Sequence, residues 1–185
     1  MQPTANADHR AALREVIDNR VSVADFPRSE VGFSSSSPNH VSFADAARLS
    51  SAVIIGQVQD QHVVEATPPF EGLEATYLLS DLRGPDGTIY QIIEPIGVSR
   101  DTSGVYALGY SGCGVPLEAK GDYAILVTQS SNVTGAFEVI AGNAYEVTAA
   151  GASVTCAGDP SMSALVGKSA AEIASLTSAQ KTTSP

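Results

Sequence analysis

The densest group of potential nucleophiles lies in Gly109-Tyr110-Ser111-Gly112-Cys113-Gly114. A serine set between glycines is what an acyl-transfer elbow presents, with its hydroxyl exposed at a sharp turn from strand to helix. Here the spacing is broken. Cys113 stands where the closing glycine of G-x-S-x-G belongs, and Val115-Pro116-Leu117 does not open a helix. Cys113 would attack as a thiolate only beside a base that lowers its pKa. The three histidines, His9, His40 and His62, are all remote from it along the chain. The loop therefore reads as a glycine-rich connection between strands, and no catalytic residue is assigned. A small hydrolase using Ser111 or Cys113 with a histidine is the alternative reading.

The two cysteines, Cys113 and Cys156, have no metal-ligand spacing. An even number permits one disulfide, which suits an exported domain; the other reading is two buried, inert thiols. Two pairs of carboxylates are candidate cation ligands. Asp81 and Asp86 flank the turn Arg83-Gly-Pro-Asp-Gly87, but lack the alternating oxygen ligands of a calcium loop. Glu138 and Glu146 would face each other across a predicted hairpin and could share a cation. The plainer reading of that pair is two solvated carboxylates repelling at roughly 0.2–1 kcal/mol. Asn132-Val133-Thr134 is a formal glycosylation acceptor, meaningful only in a eukaryotic secretory setting. No phosphate loop, zinc-protease helix or aromatic-basic surface is present, so no cofactor or metal is implied.

Composition bounds the partners. Ten Lys and Arg against twenty Asp and Glu give a formal charge of −10. With no basic patch, such a chain repels a phosphate backbone, and nucleic-acid binding is disfavoured. The longest apolar run, Ala52-Val-Ile-Ile55, is far short of the roughly 20 residues a spanning helix needs. A hydrophobic fraction of 43% over 185 residues suits one globular core with tails. Met1 to Asp8 contains no apolar h-region, while Ala5-Asn6-Ala7 resembles the small-residue pattern that ends a secretory signal. A mature fragment with an added Met1 is one expectation from this start, and a cytoplasmic origin the other.

The elements that would carry these residues are mostly strands. His9 to Asp25 predicts an amphipathic helix that ends at Phe26-Pro27, and Ser34 to Asn39 reads as a loop. Residues 1–40 are thus expected to form a loosely attached N-terminal arm. Ser42-Phe-Ala-Asp45 is a capping box that opens a short helix. The run Ala52 to Val58 follows as a buried strand, with Gly56 marking a bulge or close backbone approach. Strands at Thr76–Asp81 and Thr88–Ile93 flank the Pro-Asp-Gly turn, and Val105–Tyr110 and Asp122–Thr128 follow. Gly135 to Thr148 predicts a hairpin about Ala141-Gly142-Asn143, pairing Val139 with Tyr145 and Phe137 with Val147. Asp159-Pro160 starts a short turn, and Ser169-Ala-Ala-Glu172 caps a last helix through Leu176, with a frayed end from Thr177. The division is 1–40 arm, 41–158 β-barrel, 159–185 helix and tail.

This order has a likeness. The short helix leading into Ala52–Val58, the segment Pro116 to Leu126, the Gly135 to Gly151 region and the closing helix Leu165 to Ile173 resemble small exported bacterial proteins of unassigned role. Those are built on an OB-like barrel related to the netrin and tissue-inhibitor-of-metalloproteinases group, and the likeness spans residues 42–176. It implies a small antiparallel OB-like barrel with short peripheral helices. It also implies an exported or cell-surface module binding a protein or small ligand. The inhibitors act through a cysteine at the mature N-terminus; this chain has none near its start, so protease inhibition does not carry over.

Overall fold

The computed structural model describes residues 4–30, 41–67, 76–100, 104–110, 116–153 and 160–182. The protein is mainly β, 44% strand against 22% helix. In chain order the elements are α1 (Thr4–Asp18), β1 (Arg28–Glu30), α2 (Phe43–Leu49), β2 (Ala52–Glu65), β3 (Thr76–Arg83), β4 (Ile89–Pro95) and β5 (Gly97–Arg100). They continue with β6 (Tyr106–Tyr110), β7 (Asp122–Gln129), β8 (Phe137–Thr148), β9 (Gly151–Ala152), α3 (Pro160–Ser163) and α4 (Ala170–Thr182). Among the described residues no helix is long and apolar enough to cross a membrane.

Five strands make a ring in the order β4-β3-β2-β7-β8, and β8 meets β4 again through the parallel pairs Ile92↔Phe137 and Ile93↔Glu138. All other pairings in the ring are antiparallel. The long strand β2 makes this possible by serving two neighbours. Its first half, Ala52–Gln57, pairs with β7, and from Gln57 onward it pairs with β3. The change of partner falls at Gly56 and at a bulge between Val58 and Asp60. A Cβ on Gly56 would collide with the Arg83 carbonyl, so glycine is needed where the chains cross so closely. The turn from β3 to β4 is the Pro-Asp-Gly turn: Gly87 has φ +85° and its N–H donates to the Gly84 carbonyl at 2.9 Å.

Apolar residues from all five ring strands meet inside it, with Val58, Leu82, Ile92, Ile125 and Val127 almost fully buried. Leu117, from the connection into β7, fills the same interior. Helices α2, α3 and α4 cover the outer face of β7 and β8 through Phe43, Ala47, Met162 and Ile173, with Leu165 from the turn between α3 and α4. The capping boxes form as expected: Asp45 N–H donates to Ser42 Oγ, and Ser169 and Glu172 bond reciprocally.

Three expectations need correction. The predicted hairpin about Gly142 is absent: Phe137–Thr148 is one strand that pairs with β7 on both sides of a wide bulge. Opposite Leu126 stand the four residues Ile140 to Asn143. Gly142 takes the positive φ, +78°, that a turn would need, but the chain does not reverse. Asn143, fully buried, holds the bulge open. Its Nδ2 donates to the Val41 and Ala141 carbonyls at 2.8 and 2.9 Å, and its Oδ1 accepts from Tyr145 Oη at 2.6 Å.

The N-terminal segment, where described, is not a loose arm. Leu13, Val16 and Val23 are buried against Val63, Leu78, Ile96, Val98 and Leu108. Strand β1 adds in parallel to β6, which pairs with β5 in a second, three-stranded sheet. Burial of that apolar helix face provides the attachment. Nor does the last helix fray from Thr177. That residue is buried, its Oγ1 bonds the Ile173 carbonyl at 2.8 Å, and the helix runs through Thr182.

Candidate functional site

A polar layer crosses the interior between the ring core and the cluster under α1. Strand alternation puts Leu78, Ser80 and Leu82 on the inner side of β3, and Ser80 stands opposite Gln61 of β2 and Ile92 of β4. Ser80 and Gln61 are fully buried. Gln61 Nε2 donates to Ser80 Oγ at 2.8 Å and to the Leu117 carbonyl at 2.9 Å. Arg28, the first residue of β1, reaches the same carbonyl: Nη2 donates to Leu117 O at 2.7 Å and to Gln61 Oε1 at 2.9 Å. Its Nη1 donates to the Phe26 carbonyl at 3.4 Å, and its Nε is buried with no acceptor. From β4, Glu94 Oε2 accepts the Leu117 N–H at 3.0 Å. Both sides of the Leu117 residue's backbone are therefore held by side chains from three different strands.

The carboxyl of Glu94 is densely enclosed, although the residue as a whole keeps some exposure. Burial pushes it up to about 7, against the opposing pull of the Leu117 N–H and the Arg28 charge. Tyr123 is pushed up to about 12, again mainly by burial, while the Glu118 N–H bonded to its hydroxyl at 3.0 Å acts the other way.

Above this layer opens a cleft of about 430 Å³. One wall is the stretch leading into β1, with Asp25, Phe26 and Arg28, the first residue of β1; the other is Glu118 to Lys120, and Tyr110 also lines the cleft. The Glu118–Lys120 wall is fixed to β2 at its bulge. Lys120 N–H donates to the Val58 carbonyl at 3.1 Å and Val58 N–H to the Gly121 carbonyl at 3.0 Å. To make that turn Lys120 adopts φ +65°. Asp25, Glu118 and Lys120 are exposed, so the cleft offers both signs of charge to solvent.

Ser111, Cys113, Cys156 and His40 lie outside the described residues, as does most of the glycine loop. His9 lies in α1. His62 is on the opposite side of β2 from Gln61 and faces Leu79 across the pair. Asp86 ties the hairpin turn through Thr88 N–H and Oγ1, bonds that hold its carboxyl below the usual range. Asp81 sits on β3 with one carboxylate oxygen buried and unpartnered.

The structure does not bring Glu138 and Glu146 together. Both are on β8, and their partners on β7, Thr128 and Tyr123, are five positions apart, roughly 17 Å. Glu138 instead accepts from Asn132 Nδ2 at 3.3 Å. Among the described residues no three His, Cys, Asp or Glu side chains group as a metal site.

Sequence reasoning passed over Arg28, Gln61, Ser80 and Glu94. One signal was readable: Ser80 interrupts the apolar phase Leu78-x-Ser80-x-Leu82, and a polar residue on a buried face needs a partner. Comparison with protein-family models, curated proteins and solved structures found no match for the chain.

Proposed function

We propose that the protein is a non-enzymatic binding module, exported or at the cell surface, whose ligand site is the cleft between Asp25–Arg28 and Glu118–Lys120. The cleft itself carries the reading. It falls in the usual range for small-ligand sites, about 300–1,000 Å³. Its walls present Lys120 beside Glu118 and Asp25, and Arg28, which lines one of them, is anchored by its bonds to the Leu117 carbonyl and Gln61 Oε1. Such an anchored wall is preorganised, and mixed charge at the rim suits a small polar ligand bearing both signs. The setting outside the cytoplasm rests on the even number of cysteines and the likeness to small exported proteins.

A thermal-shift series with amino acids and dipeptides tests the site, using the parent protein, Asp25→Ala and Lys120→Ala. Stabilisation of the parent by one such compound, lost in both variants, is the expected result. A series with no stabilising compound, or one equally effective on both variants, rejects the cleft. Ester or peptide hydrolysis abolished by Ser111→Ala or Cys113→Ala would replace the binding role with the hydrolase reading.

A further inference from the structure

We propose that Lys120 is the anion anchor of the cleft: it holds a ligand carboxylate while Asp25 and Glu118 take the ligand's ammonium group, so that the cleft selects an amino-acid or peptide zwitterion. This deepens the cleft reading and rests on it. The turn that carries Lys120 supplies the first observation. Gly121 N–H donates to the Glu118 carbonyl at 3.2 Å, closing a four-residue turn with Ala119 and Lys120 at its centre. At φ +65°, Lys120 holds the central position where a positive φ ordinarily calls for glycine or asparagine. Glycine stands one place later for another reason: a Cβ on Gly121 would collide with the Tyr123 ring. A side chain is thus kept at 120 at a conformational cost, and backbone strain of this kind gathers at ligand-holding positions. The turn is held from both sides. Lys120 N–H donates to the Val58 carbonyl, Val58 N–H to the Gly121 carbonyl, and Glu118 N–H to the Tyr123 hydroxyl. These bonds fix the backbone beneath a lysine that lines the cleft.

Charge within the cleft supplies the second observation. Arg28 and Lys120 stand against Asp25 and Glu118, so these four residues are formally neutral together, although the chain carries −10. The two cations are not equivalent. Arg28 is committed to Phe26, Gln61 and Leu117 through its Nη groups, and its Nε is buried. Lys120 is exposed and, among the described residues, forms no ion pair with either acid. Its ammonium is therefore the cation open to a ligand. Two acids in the same cleft oppose a lone anion, which favours an anion that brings its own positive charge.

NMR chemical-shift titrations of the full chain test this with three probes: glycylleucine, its C-terminal amide, which lacks the anion, and its N-acetyl form, which lacks the cation. Glycylleucine should shift the Ala119, Lys120 and Gly121 amides saturably, and each blocked form should bind at least about tenfold more weakly. Lys120→Ala and Lys120→Gly should weaken glycylleucine by a similar factor, while Lys120→Arg, which preserves the charge, should retain it within about threefold. Freed of strain, Lys120→Gly should melt about 2–4 °C above Lys120→Ala. Silence of these amides toward all three probes would overturn the anchor and the cleft reading together. Undiminished glycylleucine binding in Lys120→Gly, equally tight binding of either blocked form, or Lys120→Gly melting below Lys120→Ala would overturn the anchor alone. If a variant does not fold, the blocked forms decide the matter on the parent protein.

Discussion

Gln61 and Ser80 face each other across β2 and β3, fully buried, and share a hydrogen bond of 2.8 Å inside the ring. The pair places a polar stratum where strand alternation would otherwise stack apolar residues. It is tolerated because each Gln61 amide atom is used, toward Ser80, Leu117 and Arg28. Gln61→Leu should then cost about 1–3 kcal/mol, because it strands Ser80 Oγ and removes an acceptor from Arg28. Ser80→Ala should cost less, about 1 kcal/mol. Urea unfolding of the two variants checks the order; a neutral Gln61→Leu would mean that the layer contributes nothing to stability.

Asn143→Ala should destabilise by about 1–3 kcal/mol, since it removes the Asn143 bonds to the Val41 carbonyl and the Tyr145 hydroxyl that hold the bulge. Tyr145→Phe should cost less, and the double variant should fall short of the sum because both act on one network. Denaturation midpoints of the three proteins measure this coupling, and strict additivity would contradict a shared network.

Glycine substitutions should separate two causes. Gly56→Ala drives a Cβ into the Arg83 carbonyl, so the strands must move apart, at about 1–3 kcal/mol. Gly87→Ala meets open space and suffers only from its φ of +85°, at about 1 kcal/mol. Thermal unfolding ranks them, and a Gly56→Ala protein as stable as the parent would remove the close approach as a constraint.

Glu94 sets a direction for pH. Its folded value of about 7 lies above the ordinary 4.5, so its contribution is fully present below pH 4.5 and is lost as pH rises through 7. The loss is at most about 3 kcal/mol. Stability measured by urea at pH 5 and pH 8 should fall toward the alkaline side. Glu94→Gln should flatten that difference; an unchanged slope in the variant would assign it to another group.

Cys113 and Cys156 should form one disulfide when the chain is produced through an oxidising compartment. Non-reducing peptide mapping distinguishes this from two thiols, and free thiols in exported protein would move the setting toward the cytoplasm.

Local chemistry was readable before any fold was known. The caps at Ser42 and Ser169 act within three residues, and the Pro-Asp-Gly turn closes over four. Gly56 announced a close approach by its type alone. Gly142-Asn143 marks the limit. Its sequence specified a positive φ, which serves a hairpin turn and a bulge equally well. The bulge prevailed because β7 offers a partner to both halves of β8, while the buried Asn143 side chain bonds Val41 from far away in the chain. The same holds for the polar layer. Gln61 and Leu117 are 56 positions apart, and Arg28 and Leu117 are 89. Strand period told which side Ser80 would face. Who meets it there depends on closing long loops and on burying one ring of apolar residues, and no spacing of a few residues carries that information.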